Sequence, residues 1–291
     1  MNTPSRCIIT SVSNKFFPSL LNLLGSLEKN YPGHPRVYVY DLGLSVIFRK
    51  ELENIKWITV IAMPHFISFW RSCYTWKAYI FIKPLADINI YMDAGCEILR
   101  PLDEMFTKTI EQNYLAVEQT AKLDLITPTD YKDIFRIDPV FYNQNCITAG
   151  IFGFKKNSAI TTSLEELYDK AINGLCLGFS PTEQWKNKGV NKNQYVRNCE
   201  RFRHDTTILS LILRKNIPNL RIEPFSRFAA NSPTESSVQL IWNLRMNYRK
   251  LNNLSINTLH KKKTFVVFIS RAGVYIFMIA RAIRLRIKLR K

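Results

Sequence analysis

With 291 residues, 46% of them hydrophobic and 22% charged, the chain can bury a sizeable core, and its composition excludes a disordered polymer. The net charge of +18 is unevenly placed. From Ser236 to Lys291 there are 13 of the 41 Lys and Arg and no Asp or Glu, which leaves 28 basic against 23 acidic residues before them, so a nucleic-acid surface over the whole molecule is not implied. The six cysteines show no Cys-x-x-Cys spacing, which argues against a zinc site and a disulfide framework. Met1 to Arg6 lack the basic, apolar, small-residue layout of a secretory signal, and no apolar stretch approaches the roughly 18 residues of a membrane span. The expected compartment is a reducing cytoplasm.

Strands and helices alternate along the chain. Cys7 to Val12 reads as a strand ending at Ser13-Asn14, and Phe17 to Lys29 as a helix carrying Leu20, Leu21, Leu23, Leu24 and Leu27. Pro32-Gly33-His34-Pro35 breaks it, and Arg36 to Tyr40 forms a second strand ending at Asp41. Phe48 to Asn54 reads as a short helix, Trp57 to Ala62 as a strand, Trp70 to Leu85 as a helix and Ile88 to Met92 as a strand that meets Asp93. Tyr114 to Glu118 and Gly150 to Phe154 read as later strands. Ser163 to Asn173 is a helix with the capping pair Ser163 and Glu166, and His204 to Arg214 is another. This alternation predicts a largely parallel, right-handed α/β sheet.

The stretch Ile88-Asn89-Ile90-Tyr91-Met92-Asp93-Ala94-Gly95-Cys96-Glu97 carries the strongest chemical signal. A buried strand ending in a carboxylate puts it at the edge where α/β sheets bind ligands, able to hold a cation or a sugar hydroxyl, while Asp and Gly equally favour a plain turn. Gly-x-x-x-x-Gly-Lys, Gly-x-Gly-x-x-Gly and Gly-x-Ser-x-Gly are all absent, which removes support from phosphate-loop, dinucleotide and hydrolase readings.

Several segments in order now carry a resemblance: Val39-Tyr40-Asp41-Leu42-Gly43-Leu44-Ser45, Thr75-Trp76-Lys77, Tyr91 to Gly95, Ile147-Thr148-Ala149-Gly150-Ile151-Phe152-Gly153-Phe154 and His204-Asp205-Thr206-Thr207-Ile208-Leu209. Over residues 6–262 the chain resembles nucleotide-sugar glycosyltransferases of the GT-A fold, nearest in style to glycosyltransferase family 8 and related families. The resemblance implies a Rossmann-like mixed, mostly parallel sheet flanked by helices, a nucleotide-diphosphate sugar as donor, and Mn²⁺ or Mg²⁺ held by an Asp-x-Asp motif. Asp93 matches its first carboxylate, and Gly95 stands where the family keeps the second. Glu97 and His260 are the other candidate metal ligands.

For the donor the resemblance points to Ser11 and Ser13 at the end of the first strand, Asp41, Lys77 near the diphosphate, Asp93, Gly95, and Thr148 with Gly150 beside the sugar. Asp205 and Glu118 are the candidate catalytic carboxylates on the acceptor side. Each has a plainer reading beside it. Ser11, Ser13 and Asp41 suit turns, Lys77 suits an exposed helix face, Thr148 to Gly150 a β-bulge, Asp205 a helix cap, and His260 beside Lys261-Lys262-Lys263 a solvated surface.

Residues 263–291 read as a second unit, a basic amphipathic helix that interleaves Val266, Val267, Phe268 and Ile269 with Arg271, Arg281, Arg284 and Lys288. Such a segment is expected to lie on an anionic membrane surface, with a partner-binding or RNA-binding helix as the plainer readings. The combined expectation is a hexosyltransferase-like enzyme, peripheral on the cytoplasmic membrane face, that builds surface polysaccharide or lipopolysaccharide on a glycan or lipid-linked acceptor. Two rival readings are a sugar-phosphate nucleotidyltransferase, whose Gly-rich basic loop Cys7 to Phe17 lacks, and a non-catalytic basic membrane- or nucleic-acid-binding protein.

Overall fold

A computed structural model of the chain describes residues 3–64, 74–177, 202–230 and 238–243. The proposed tail, His260 and the first residues of the expected Trp70–Leu85 helix lie outside these. The strands are β1 (Arg6–Val12), β2 (Val37–Asp41), β3 (Ile58–Ala62), β4 (Ile88–Met92), β5 (Cys96–Ile98), β6 (Tyr114–Lys122), β7 (Asn145–Lys155) and β8 (Ile241–Asn243). The α-helices are α1 (Phe17–Asn30), α2 (Val46–Glu53), α3 (Trp76–Phe81), α4 (Asp103–Gln112), α5 (Leu123–Ile126), α6 (Thr129–Phe135), α7 (Ile160–Ile172), α8 (His204–Asn216) and α9 (Phe225–Phe228). None of the described helices is long and apolar enough to cross a membrane.

Six strands form one sheet in the order β3-β2-β1-β4-β7-β6. β3, β2, β1 and β4 are parallel neighbours, while β7 runs antiparallel to both β4 and β6, so five of the six strands point the same way. This is the mostly parallel α/β sheet that the strand–helix alternation predicts. Register brings Val12, Asp41 and Ala62 into one row, and Asp93 follows Met92 at the same edge. The carboxyl ends of the central strands therefore share a rim.

Alternating side chains feed two cores, one on each face. Ile8, Val12, Val37, Val39, Ile90 and Met92 pack toward α1, α2 and α4, whereas Cys7, Ile9, Tyr40 and Tyr91 pack toward α3, α7 and α8. Phe17, Leu20, Leu21, Leu23, Leu24 and Leu27 of α1 are all essentially buried, each side chain contributing about 1.5–3 kcal/mol. The four cysteines within the described residues, Cys7, Cys96, Cys146 and Cys176, are buried and form no disulfide.

Several expected elements shift. α7 begins at Ile160, three residues before the expected Ser163, with Ala159 at its N-cap. Ser163 is buried inside the helix, and Glu166 bonds Lys215 and Asn216 of α8 instead of closing a capping box. The segment that enters the helix is Ser158, whose N–H donates to Thr161 Oγ1 at 3.2 Å. α3 starts at Trp76 after a turn in which Tyr74 takes φ +60°. β7 covers eleven residues rather than five, because β6 pairs with it from Asn145 to Phe154, while β4 pairs with only its last five residues, Ile151 to Lys155.

Candidate active site

Lys77 lies on the first turn of α3, directly under the carboxyl ends of β1 and β4. Its ammonium is 3.0 Å from Asp93 Oδ1, 3.2 Å from Asp93 Oδ2 and 2.9 Å from Asp205 Oδ2. The Lys77 side chain is 5% exposed, Asp205 12% and Asp93 41%, so Asp93 is the member of the triad that opens outward. The rings of Tyr74 and Tyr91 stand 5.5 and 5.6 Å from the ammonium and add cation–π attraction. Burial works against the ammonium, but Asp205 and Asp93 outweigh it and hold the Lys77 pKa well above its usual value. Burial pushes the Asp205 carboxyl upward while Lys77 pulls the other way.

Behind Asp93 runs a hydrogen-bond chain with a fixed direction. Trp76 Nε1 donates to Ser11 Oγ at 3.0 Å, Ser11 Oγ lies 3.0 Å from Tyr91 Oη, and Tyr91 Oη donates to Asp93 Oδ1 at 2.9 Å. An indole can only donate and a carboxylate can only accept, so Ser11 must pass its hydrogen to Tyr91. Tyr91 is wholly buried, and burial followed by the Asp93 charge raises its pKa well above the ordinary phenol value. The phenol therefore stays protonated and keeps its hydrogen bond to Asp93.

The neighbouring elements are shaped around this carboxylate. Asp93 N–H donates to Gly150 O at 2.8 Å, and Gly150 N–H donates to Thr148 Oγ1 at 3.1 Å. The entry to α8 places Asp205 in the helix's first turn, where the N-terminal dipole favours a carboxylate. The N-cap is Arg203, so Asp205 turns to Lys77 rather than capping the helix. Tyr74 and His204 both adopt left-handed backbone, at φ +60° and +45°, and their rings lie 5.8 Å apart beside Lys77 and Asp205. Strain of this kind in bulky residues is concentrated where a structure over-determines a site.

The other sequence candidates take different positions. Ser13 follows β1 on the same rim and accepts the Phe16 N–H through its carbonyl at 2.9 Å. Asp41 Oδ1 accepts from Gly43 N and Leu44 N at 2.7 and 2.6 Å, and Oδ2 faces Arg49 at 3.3 Å, so this carboxylate organises the turn after β2. Gly95 lies in a turn closed by Cys96 N–H to Asp93 O at 3.0 Å, and its backbone is not left-handed. Glu118, on β6, accepts from Asn145 Nδ2 at 3.0 Å, apart from the Lys77 triad.

Glu97 departs furthest from expectation. β5 folds back against α1, where Asn22 Nδ2 donates to Glu97 Oε2 at 3.1 Å, Ser26 Oγ accepts from Ile98 N at 2.9 Å and Asn30 Nδ2 donates to Ile98 O at 2.7 Å. That carries Glu97 into the layer of α1, opposite α3 and Lys77. Among the described residues no group of three or more His, Cys, Asp or Glu is placed to hold a metal ion. The residues that sequence reasoning missed are Tyr91 and Trp76. Their signal was the aromatic two residues before Asp93 and the aromatic preceding Lys77.

No family model matches this sequence, and no curated protein matches it. Solved structures match it in fold. The apo structure of the bifunctional glycosyltransferase WbbM superposes with a TM-score of 0.51 at 12% identity, over 78% of this chain and 40% of WbbM. The galactosyltransferase LgtC in complex with donor and acceptor sugar analogues matches with a TM-score of 0.49 and 14% identity, over 81% of this chain and 86% of its own. An active-site mutant of LgtC gives 0.48 and 15%, over 79% and 80%. The chain spans about two-fifths of the length of WbbM. The likeness to WbbM is one of fold, and this fold, a mixed, mostly parallel α/β sheet flanked by helices, is of the GT-A type.

Proposed function

We propose that this chain is a hexosyltransferase-like glycosyltransferase that moves a sugar from a nucleotide-diphosphate donor to a glycan or lipid-linked acceptor. One observation carries the reading: a buried ammonium fixes two carboxylates at the rim of the central strands, and the more open of them, Asp93, faces outward. Sugar hydroxyls are strong partners for such a carboxylate, because its own position is already set by Lys77 and Tyr91 and little ordering remains to be done on binding. Ser13, Thr148 and Gly150 belong to the same rim, where the nucleotide and the sugar would lie, and Ser11 supports Asp93 from behind through Tyr91. Transfer displaces a nucleoside diphosphate from the anomeric carbon by an acceptor hydroxyl. Asp205 is the proposed acceptor of the hydroxyl proton, a role supported by the upward push that burial gives its carboxyl. Glu118 is the second acceptor-side carboxylate, held by Asn145.

Calorimetry with a panel of nucleotide sugars tests this directly. One member of the panel should bind the wild type, and Asp93→Ala should weaken it by about 100-fold, near 2.7 kcal/mol. If no nucleotide sugar binds, or Asp93→Ala binds as the wild type does, the enzyme reading fails.

The basic, acid-free residues 263–291 support a second part of the proposal, a catalytic unit over 1–262 held on the cytoplasmic membrane face for surface-polysaccharide assembly. Vesicle co-sedimentation of the full chain should show binding to anionic vesicles, little binding to neutral ones, and release at about 1 M salt, where the screening length falls to about 3 Å. Equal binding to both vesicle types would sink it.

A further inference from the structure

In phosphate-transfer and diphosphate-leaving chemistry a divalent cation is the usual neutralising group, held by one or two carboxylates that still have lone pairs to give. Among the described residues, the carboxylates at this rim already have their charge met and do not fit that role. Asp93 receives the Lys77 ammonium on both oxygens, at 3.0 and 3.2 Å, and the Tyr91 hydroxyl on Oδ1. Asp205 receives the same ammonium at 2.9 Å. The position two residues after Asp93 is Gly95, with no side chain to offer, and Glu97 is drawn away to Asn22 on the opposite layer. A doubly charged ion on Asp93 would face the buried Lys77 ammonium across a single carboxylate, and the two positive charges would repel.

Building on the proposed donor reaction, we infer that this site binds its nucleotide-sugar donor without a resident divalent cation, the Lys77 ammonium being the fixed internal cation between Asp93 and Asp205. Lys77 cannot leave easily. Withdrawing it would strand two partly buried carboxylates and uncover the Tyr74 and Tyr91 ring faces. The sequence departure at Gly95 and the geometry at Lys77 thus describe one arrangement: a carboxylate pair whose charge is used inside the protein.

Two measurements on the full chain test this. In a Mn²⁺ titration followed by the loss of the free-ion EPR signal, the wild type should show no stoichiometric site. Gly95→Asp, at a backbone position outside the left-handed region, should create one, and adding Asp93→Asn to it should remove it. In parallel, the affinity for the nucleotide sugar found by calorimetry should agree within about threefold between EDTA and Mn²⁺ buffers. The inference is overturned if the wild type takes up one equivalent of Mn²⁺ that Asp93→Asn abolishes, or if a nucleotide sugar binds only when Mn²⁺ is present. That second result would leave the glycosyltransferase reading standing. If no nucleotide sugar binds in either buffer, the glycosyltransferase reading falls and the EPR titration alone decides about the cation.

Discussion

A Cβ built on Gly150 would stand 2.7 Å from Asp93 Oδ2 and 3.3 Å from Thr148 Oγ1, closer than van der Waals contact allows. The obstacle is the mobile end of a partly exposed side chain, so the fold can yield by turning Asp93 aside. Turning it aside breaks the contacts that define the site, because Oδ1 and Oδ2 both serve Lys77 and Oδ1 also takes the Tyr91 hydrogen. Gly150→Ala should therefore leave the packing of the sheet in place, at a cost of about 1–3 kcal/mol from the contacts that buried Lys77 and Tyr91 lose. Donor affinity should nonetheless fall by about tenfold or more, near 1.4 kcal/mol. Thermal melts and calorimetry on one preparation check both halves. An unchanged affinity would show that Asp93 does not need this position to meet the donor.

Three residues further along β7, the same substitution should do the reverse. A Cβ on Gly153 would meet Leu115 Cβ at 2.7 Å, Ile90 Cδ1 at 3.0 Å and Thr109 Oγ1 of α4. These atoms belong to both neighbouring strands and the helix laid across them, and none is the free end of an exposed chain. Gly153→Ala should cost about 1–3 kcal/mol by overpacking, read as a lower urea midpoint at constant slope. Unchanged stability would mean that α4 is not seated on this strand. Element type and order were legible in the sequence because apolar periodicity and strand-end polar residues survive burial: β1, α1, β2, β3 and β4 lie where the pattern puts them. Boundaries set by tertiary contacts were not. Asn22, Ser26 and Asn30 recur every four residues on α1 and look like ordinary interruptions of an apolar helix. They form the polar stripe that takes β5, and with it Glu97, away from the site. Asp93 and Lys77 were legible as strand-end and helix-start charges. Their joining with Asp205 was not, since it depends on α8 being brought across more than a hundred residues of chain to meet α3.

On the scale of the whole molecule, proton-holding groups are buried in both cores, and they give the protein a preferred pH range. Burial pushes the Cys7 thiol up to about 12 and the Cys146 thiol up to about 11, from an ordinary 9.0. Burial also raises the Tyr31, Tyr40 and Tyr91 phenols, and Lys77 is raised because Asp205 and Asp93 outweigh its own burial. All act with one sign. Above pH 9 the unfolded chain releases thiol protons that the native state keeps, so the unfolded state binds fewer protons and stability falls as pH rises. Phenols and Lys77 follow above about pH 10, the Lys77 contribution being complete below its unfolded value and lost as pH climbs through its folded one. The two thiols alone account for about 2–3 kcal/mol by pH 10, at up to about 1.4 kcal/mol per group per pH unit. Tm should stay level from pH 7 to about 8.5 and then drop steeply toward pH 11. Replacing Cys7 and Cys146 by Ala should flatten the part of the curve between about pH 9 and 10 and leave the later fall, which belongs to the phenols and Lys77. A wild-type Tm level to about pH 10 would show that these thiols are not shielded as the core under α3, α7 and α8 requires.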